Sequence, residues 1–438
     1  MDNSDTPRNL HRRRRSRRRR IGFAASAAVA ALLLSGCTGQ AESDVVTLDF
    51  FQFKGEALKD FNEIIADFEA ENPDIKVVQN QVADADTAIR TRLVKNDVPD
   101  VITLNGNGGL GQLMRAGVFH DFTGDPLLDR INPAVQDILG DIGFADGEVN
   151  ALGYVNNANG VIYNQAIFEE QGIEPPETWD EFIAVCDQLQ AAGITPFYGT
   201  LADSWTALPS FNALGAYPSQ GDFWDKMREE GENVGPDSSV SFQKNFPEAL
   251  NQQAELFSYA QEGYRGRTYD DGNAAFANGE VAMLMQGIWA INPIKGINPD
   301  IEAAIFPYPA AENPDERMLV SGVDVAVLIG KDTPHFAEAK RFVDYLFQAQ
   351  VLEDFAASQL MVPSVTDAEL SNAPALQSVK PFFDEKKITG FIDHQIPPSI
   401  PLAAIIQQFL FDGDADAALA TLDNEWSKVA RRTIQSGE

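Results

Sequence analysis

The stretch that most restricts this chain is residues 276–290, FANGEVAMLMQGIWA. Within it VAMLM is an uninterrupted apolar run, preceded by Gly279 and cut off by Gln286 and Gly287. A run this short, with no alternation, reads as a strand buried on both faces. Such strands belong to α/β sheets, where ligands sit outside the carboxyl ends of the strands. Trp289 therefore falls where a ligand would lie, offering a flat apolar face to the C–H side of a sugar ring. Gln286 falls where an amide can bond a hydroxyl. A lone Trp is more often a core residue, so the rest of the chain has to decide between the two readings.

That remainder alternates. Residues 45–53 read as a strand. Residues 56–71 read as an amphipathic helix with Leu58, Phe61, Ile64, Ile65 and Phe68 on one face, stopped by Asn72 and Pro73. A strand at 75–78, a helix at 84–95 and a strand at 100–104 follow. This order predicts a parallel sheet with helices on both faces. Asn105 and Asn107, spaced by glycines, sit at the carboxyl end of the third strand. Glycine admits close backbone approach and Asn supplies both donor and acceptor, although most such clusters are plain turns. Neither GK[ST] nor GxGxxG is present, so this is no phosphate loop.

Further along, residues 150–164 read as a segment crossing into a second sheet. Residues 178–192 read as a helix capped by Thr178 with Glu181, on which Cys186 shares an apolar face with Phe182, Val185 and Leu189. Residues 201–214 read as a loop carrying Trp205, and 215–240 as loop-rich. Helices are expected at 246–261, 271–278, 334–347, 351–359, 402–410 and 416–434. Three prolines within 305–314 suggest a return crossing, ahead of a strand at 320–329 that carries Asp324.

The first 36 residues are of another kind. Nine Arg lie within residues 8–20, a 14-residue apolar stretch covers 21–34, and Leu34-Ser35-Gly36-Cys37 closes it. This is the layout of a secretory signal, and the apolar stretch falls short of the ~18–20 residues a stable bilayer span needs. The tetrapeptide resembles a bacterial lipoprotein processing box, which implies cleavage before Cys37, lipidation of Cys37, a tether at 37–44 and anchorage to the outer face of the cell membrane. Without residues 1–36 the chain keeps 24 basic and 63 acidic residues, a net charge of −39. A surface that acidic repels nucleic acid and anionic lipid. With Cys37 acylated, Cys186 is the single thiol, and the four His show no metal-ligand spacing. Neither a metal nor a cofactor is expected.

Taken in order, VPDV (98–101), NGVIYN (159–164), PETWDEF (176–182), FANGEVAM (276–283), GIWA (287–290) and the helix at 339–346 resemble the extracellular solute-binding proteins of carbohydrate ABC importers. The resemblance implies an α/β, two-lobed, periplasmic-binding-protein-like fold of type II, with ligand held between lobes joined by crossing segments. It implies lobe 1 at 45–156 and 306–362 and lobe 2 at 157–305 and 363–438, with crossings near 154–157 and 305–307. Residue by residue, it implies ligand contacts from Gln52, Lys54, Asn105, Asn107, Asn156, Asn157, Trp205, Gln286, Trp289 and Asp324, with Trp289 stacking on a sugar ring. It also implies permease subunits as partners and a monomer. Leu104 replaces the Trp, and Asn107 and Asn157 replace the acids, that maltodextrin-binding relatives often carry. The expected glycan is therefore smaller than, or shaped differently from, a long α-glucan. Two rival readings differ in kind: a surface-anchored glycoside hydrolase, which needs two carboxylates about 5–9.5 Å apart, and a binding protein of the same fold for a polyamine or iron.

Overall fold

The computed structural model describes residues 45–82 and 85–436. The expected signal, the tether and Cys37 lie outside the described residues. The strands form two sheets. The first is built from β1 (Val46–Gln52), β2 (Ile75–Gln81), β3 (Val101–Leu104) and β4 (Leu152–Asn156). The second holds β5 (Asn159–Asn164), β6 (Thr195–Phe197), β7 (Val281–Gly287), β8 (Ala303–Phe306) and β9 (Leu319–Val320). β10 (Val323–Ile329) and β11 (Val362–Pro363) return to the first sheet, and β12 (Ile388–Thr389) to the second.

In the first sheet the order is β11-β4-β10-β3-β1-β2. β1 pairs in parallel with β2 and β3, while β10 is antiparallel to both β3 and β4. In the second the order is β12-β9-β5-β7-β6, with β8 paired to β5. β7 is buried along its whole length. Val281 and Leu284 join the apolar cluster that includes the first sheet, while Ala282, Met283 and Met285 join the second cluster. An unbroken apolar run is what a strand covered on both faces requires. Cys186 is buried in the second cluster, where burial first, and then the carboxylates of Asp187 and Glu255, push its thiol far above the ordinary range. It is an inert core residue.

Several elements differ from expectation. The return crossing is not at 305–307. β8 pairs with β5 through Ile162 and Ile305, and after the proline-rich loop the chain re-enters the same sheet as β9. It passes to the first sheet only at Ser321 and Gly322. Residues 306–320 thus belong with the second sheet, because the prolines mark a loop and carry no information about which sheet follows. A third passage lies between β11 and the helix Pro374–Asp384, whose Ser378 hydroxyl is set against the Ile305 amide of β8 (3.4 Å). The 201–214 stretch is no loop. It is a short 3-10 turn, Ser204–Ala207, followed by a helix, Leu208–Ala216, buried at every residue from Pro209 on. A helix covered on all sides has no polar stripe, so periodicity does not reveal it. Gly108–Arg115 and Phe223–Glu230 are also helices where turn or loop was expected.

Candidate binding site between the lobes

At one end of the first sheet β1, β3 and β4 finish and β10 begins. At the facing end of the second sheet β7, β9 and β12 finish and β5 begins. The expected site residues lie on these ends and on the crossings between them.

On the first-lobe side the polar groups hold one another. Gln52 is buried at the end of β1, and its Nε2 donates to Gln79 Oε1 (2.8 Å) while its Oε1 has no partner. Lys54, only 7% exposed, pairs with Glu56 (2.8 Å) and Asp324 (2.9 Å). Burial disfavours its ammonium, but the two carboxylates outweigh burial and leave the pKa above the ordinary lysine value. Asn105 Nδ2 donates to the Asp324 carbonyl (3.1 Å). The structure thus brings Lys54, Asn105 and Asp324 together across β1, β3 and β10. Asn107 caps the helix Gly108–Arg115, its Oδ1 accepting from the amides of Gly109 (2.8 Å) and Leu110 (3.1 Å), so that oxygen is not free for a ligand. Asn156 is buried, with Nδ2 donating to the Val362 carbonyl (3.4 Å) and Oδ1 unpaired.

Asn157 ties the crossings together. Its amide donates to Gly322 O (3.0 Å), its Oδ1 accepts from Gly322 N (2.9 Å), and its carbonyl accepts from the Ser321 hydroxyl (2.7 Å). Three hydrogen bonds thus join the two crossings at Asn157.

The second lobe contributes aromatic faces. Trp289 is half-buried and packs against both apolar clusters. Its ring folds back over Gly287, where a Cβ would stand 2.1 Å from the ring; only glycine leaves room for it. Its Nε1 donates to Gln286 Oε1 (3.2 Å). Gln286 is 4% exposed, so it positions Trp289, and its oxygen is taken up in doing so. Trp205 is 41% exposed, with its ring 5.0 Å from that of Tyr269. Tyr269 and Gln286, with Thr200 and Asn273, border a small polar recess of the second lobe.

Tyr269 and Phe391, which sequence reasoning did not single out, stand beside Trp205 and Trp289. Tyr269 had a signal: Thr268 and Asp271 form a full capping box, which starts that helix two residues earlier than expected and puts Tyr269 in its first turn. Phe391 lies beside Trp289, with centroids 6.3 Å apart. Phe391 comes beside Trp289 because the chain leaves β12 at the cleft end of its sheet. Among the described residues, no group of three or more His, Cys, Asp or Glu is placed to hold a metal ion, and no helix is long and apolar enough to cross a membrane.

Residues 55–353 match the family of bacterial extracellular solute-binding proteins. The multiple sugar-binding protein of Streptococcus mutans serotype c (strain ATCC 700610 / UA159) is 29% identical over 384 residues, 85% of this chain and 89% of that protein. The apo form of RafE from Streptococcus pneumoniae superposes with a TM-score of 0.76 at 24% identity, over 89% of this chain and 100% of that one. RafE in complex with raffinose superposes with a TM-score of 0.70 at 24% identity, over 87% and 100%. The fold is the two-lobed α/β fold of those structures.

Proposed function

The chain belongs to the family of bacterial extracellular solute-binding proteins, and from that premise we propose that it closes on an extracellular carbohydrate between its lobes and delivers it to the permease of an ABC importer. The observation that carries the carbohydrate reading is Trp289. It ends a strand buried on both faces, it is fixed by Gln286 and Gly287, and it stands half-buried between the two cores. An aromatic ring held this way is a rigid platform for the apolar face of a sugar. The relatives support the reading, since one is named for binding multiple sugars and another was solved with raffinose.

The mechanism is hinge closure over the crossings at Asn157 and at Ser321-Gly322. Trp289 and Trp205 supply stacking faces. Gln52, Asn105 and Asn156, with the Lys54–Asp324 pair behind them, supply amide and charged groups for hydroxyls. Asn107, Asn157 and Gln286 act by positioning, through their hydrogen-bonded oxygens. Several hydrogen bonds at roughly 0.5–1.5 kcal/mol each, added to two aromatic faces, reach micromolar affinity or better. The mature protein works as a monomer outside the cytoplasm, held to the membrane by acyl chains on Cys37. No bond is broken in this process, so incubation with oligosaccharides releases no reducing sugar.

Leu104, which is buried, offers no stacking face at the end of β3. A calorimetric titration with a maltodextrin series tests the glycan shape. We expect no steady gain in affinity with chain length, and a steady gain would refute the reading of a ligand unlike a long α-glucan. Loss of Cys37 by a Cys37→Ala change should release the protein from membranes into the medium; continued membrane retention would contradict the anchor.

A further inference from the structure

Two aromatic rings near the crossings each rest on a glycine. The ring of Trp289 lies over Gly287, and the ring of Phe391 lies over Gly322, where a Cβ would stand 2.8 Å and 2.9 Å from two atoms of its edge. The two rings are 6.3 Å apart between centroids and tilted by 48°, within the range of direct aromatic contact. A backbone path joins the same two glycines from behind. Ile288 N donates to the Ala158 carbonyl (2.9 Å), and Gly287 pairs with Asn159 in the ladder of β5 and β7. Asn157, next to Ala158, exchanges backbone and side-chain hydrogen bonds with Gly322 (3.0 and 2.9 Å). Ser321 N donates to the Thr389 carbonyl (2.8 Å), two residues before Phe391. The contacts close a circuit that runs from Trp289 through the first crossing, the second crossing and Phe391 back to Trp289.

Along that circuit the covalent chain and backbone hydrogen bonds carry every step except those made by the Phe391 ring. The ring touches Trp289 on one side and the second crossing on the other. Phe391 is 8% exposed, so it offers little surface to a sugar. Its membership of the second apolar cluster makes it a core residue as well. What sets it apart from other core rings is the seat. With glycine at 322 the ring lies directly on the backbone of the passage between the lobes, so a turn of that backbone moves the surface on which the ring rests. Packed side chains answer such a shift by moving together, because a close-packed interior leaves no slack.

We propose that Phe391 is a positioning residue for sugar binding: seated on Gly322, it carries a turn of the second crossing to Trp289, so that the stacking platform and the angle between the lobes are set together. Phe391 acts through Trp289 and does not touch the ligand. This rests on the reading of the cleft as a carbohydrate site closed by a hinge, and it deepens that reading by naming the side chain that links platform to hinge.

The test is a double-variant cycle on the full mature chain: wild type, Phe391→Leu, Gly322→Ala and the two together. Each is titrated calorimetrically with raffinose and with stachyose, and thermal unfolding shows that each is folded. Gly322→Ala sets a methyl against the ring, and Phe391→Leu removes the ring edge that the methyl would meet. The expected losses of affinity are about fivefold for Phe391→Leu and about tenfold for Gly322→Ala, with the double variant losing at least about threefold less than their product, as for residues in contact. A ring that only fills the core would shift the unfolding midpoint and leave affinity alone. Wild-type affinity in folded Phe391→Leu therefore overturns the assignment, and so do losses that simply multiply. Should Gly322→Ala not fold, the affinity of Phe391→Leu decides alone. If wild type binds neither glycan, the carbohydrate reading loses its support, and small-angle X-ray scattering of the ligand-free chains decides the coupling separately. A radius of gyration that changes in Gly322→Ala and returns to the wild-type value in the double variant supports it, and equal radii throughout overturn it.

Discussion

The two faces of the cleft are built on different principles. On the first lobe the polar side chains hold one another, Gln52 with Gln79, Lys54 with Glu56 and Asp324, Asn105 with the Asp324 carbonyl and Asn107 with a helix end, while the oxygens of Gln52 and Asn156 stay unmatched. On the second lobe the groups at the cleft are rings: Trp205 beside Tyr269 and Trp289 over Gly287. The first face is a frame that a ligand must accept as it stands. The second is a surface whose groups gain when a ligand arrives. The difference predicts that substitutions on the first face register mainly as lost stability and those on the second mainly as lost affinity.

The sharpest break should come at Lys54. Removing one partner of a buried ion pair leaves the other charge uncompensated, so Lys54→Ala should lower unfolding free energy by about 3–5 kcal/mol in urea titration. The double change Lys54→Met with Asp324→Leu should recover much of that loss, because it removes both charges; a double variant no more stable than the single one would contradict the pairing. Next comes Trp205. It is the most exposed ring at the cleft, and Trp205→Ala should weaken sugar binding by about 1–2 kcal/mol, with the unfolding midpoint held. A large drop in midpoint with unchanged affinity would reverse its assignment to the second face. Smaller again, Asn107→Ala should cost about 1 kcal/mol of stability, the usual effect of losing an N-cap, with little change in affinity. Strong loss of affinity there would make Asn107 a ligand contact after all.

Lys54 and Glu56 set a pH window. Folding raises the Lys54 pKa, so its contribution is complete below the unfolded lysine value of about 10.4 and is lost as pH climbs through the higher folded value. For Glu56 burial is the largest influence and acts upward, but bonding to Lys54 prevails and lowers the pKa. Its contribution is present above about 4.3 and is lost as pH falls through the lower folded value. Stability against pH should therefore fall off on both sides of that range, and Lys54→Met should flatten the alkaline limb. An unchanged alkaline limb in that variant would show that Lys54 is not its source.

Much of the fold was legible because its signals are strong and local. The apolar run ending at Met285 reads as a covered strand, and of the expected stripe Phe61, Ile65 and Phe68 are buried while Leu58 is exposed. What the sequence did not disclose depends on packing. Leu208–Ala216 is buried on all sides and so lacks a polar stripe. The return to the first sheet occurs at Ser321 and Gly322, two small residues with no punctuation, while the prolines that looked like a boundary lie inside the second lobe. At the site, residue type suggested which groups suit a sugar, but only the hydrogen-bond partners reveal that Asn107, Asn157 and Gln286 have their oxygens occupied. Phe391 comes beside Trp289 through a long-range path that no spacing in the sequence records.

The account stands on Trp289 as the platform for the sugar. The most direct measurement is calorimetric titration of wild type and Trp289→Ala with the neutral glycan that wild type binds best, alongside thermal unfolding of both. A loss of about 2 kcal/mol or more in binding, roughly thirtyfold, with the unfolding midpoint retained is the predicted result. Unchanged affinity in a folded Trp289→Ala protein would contradict it.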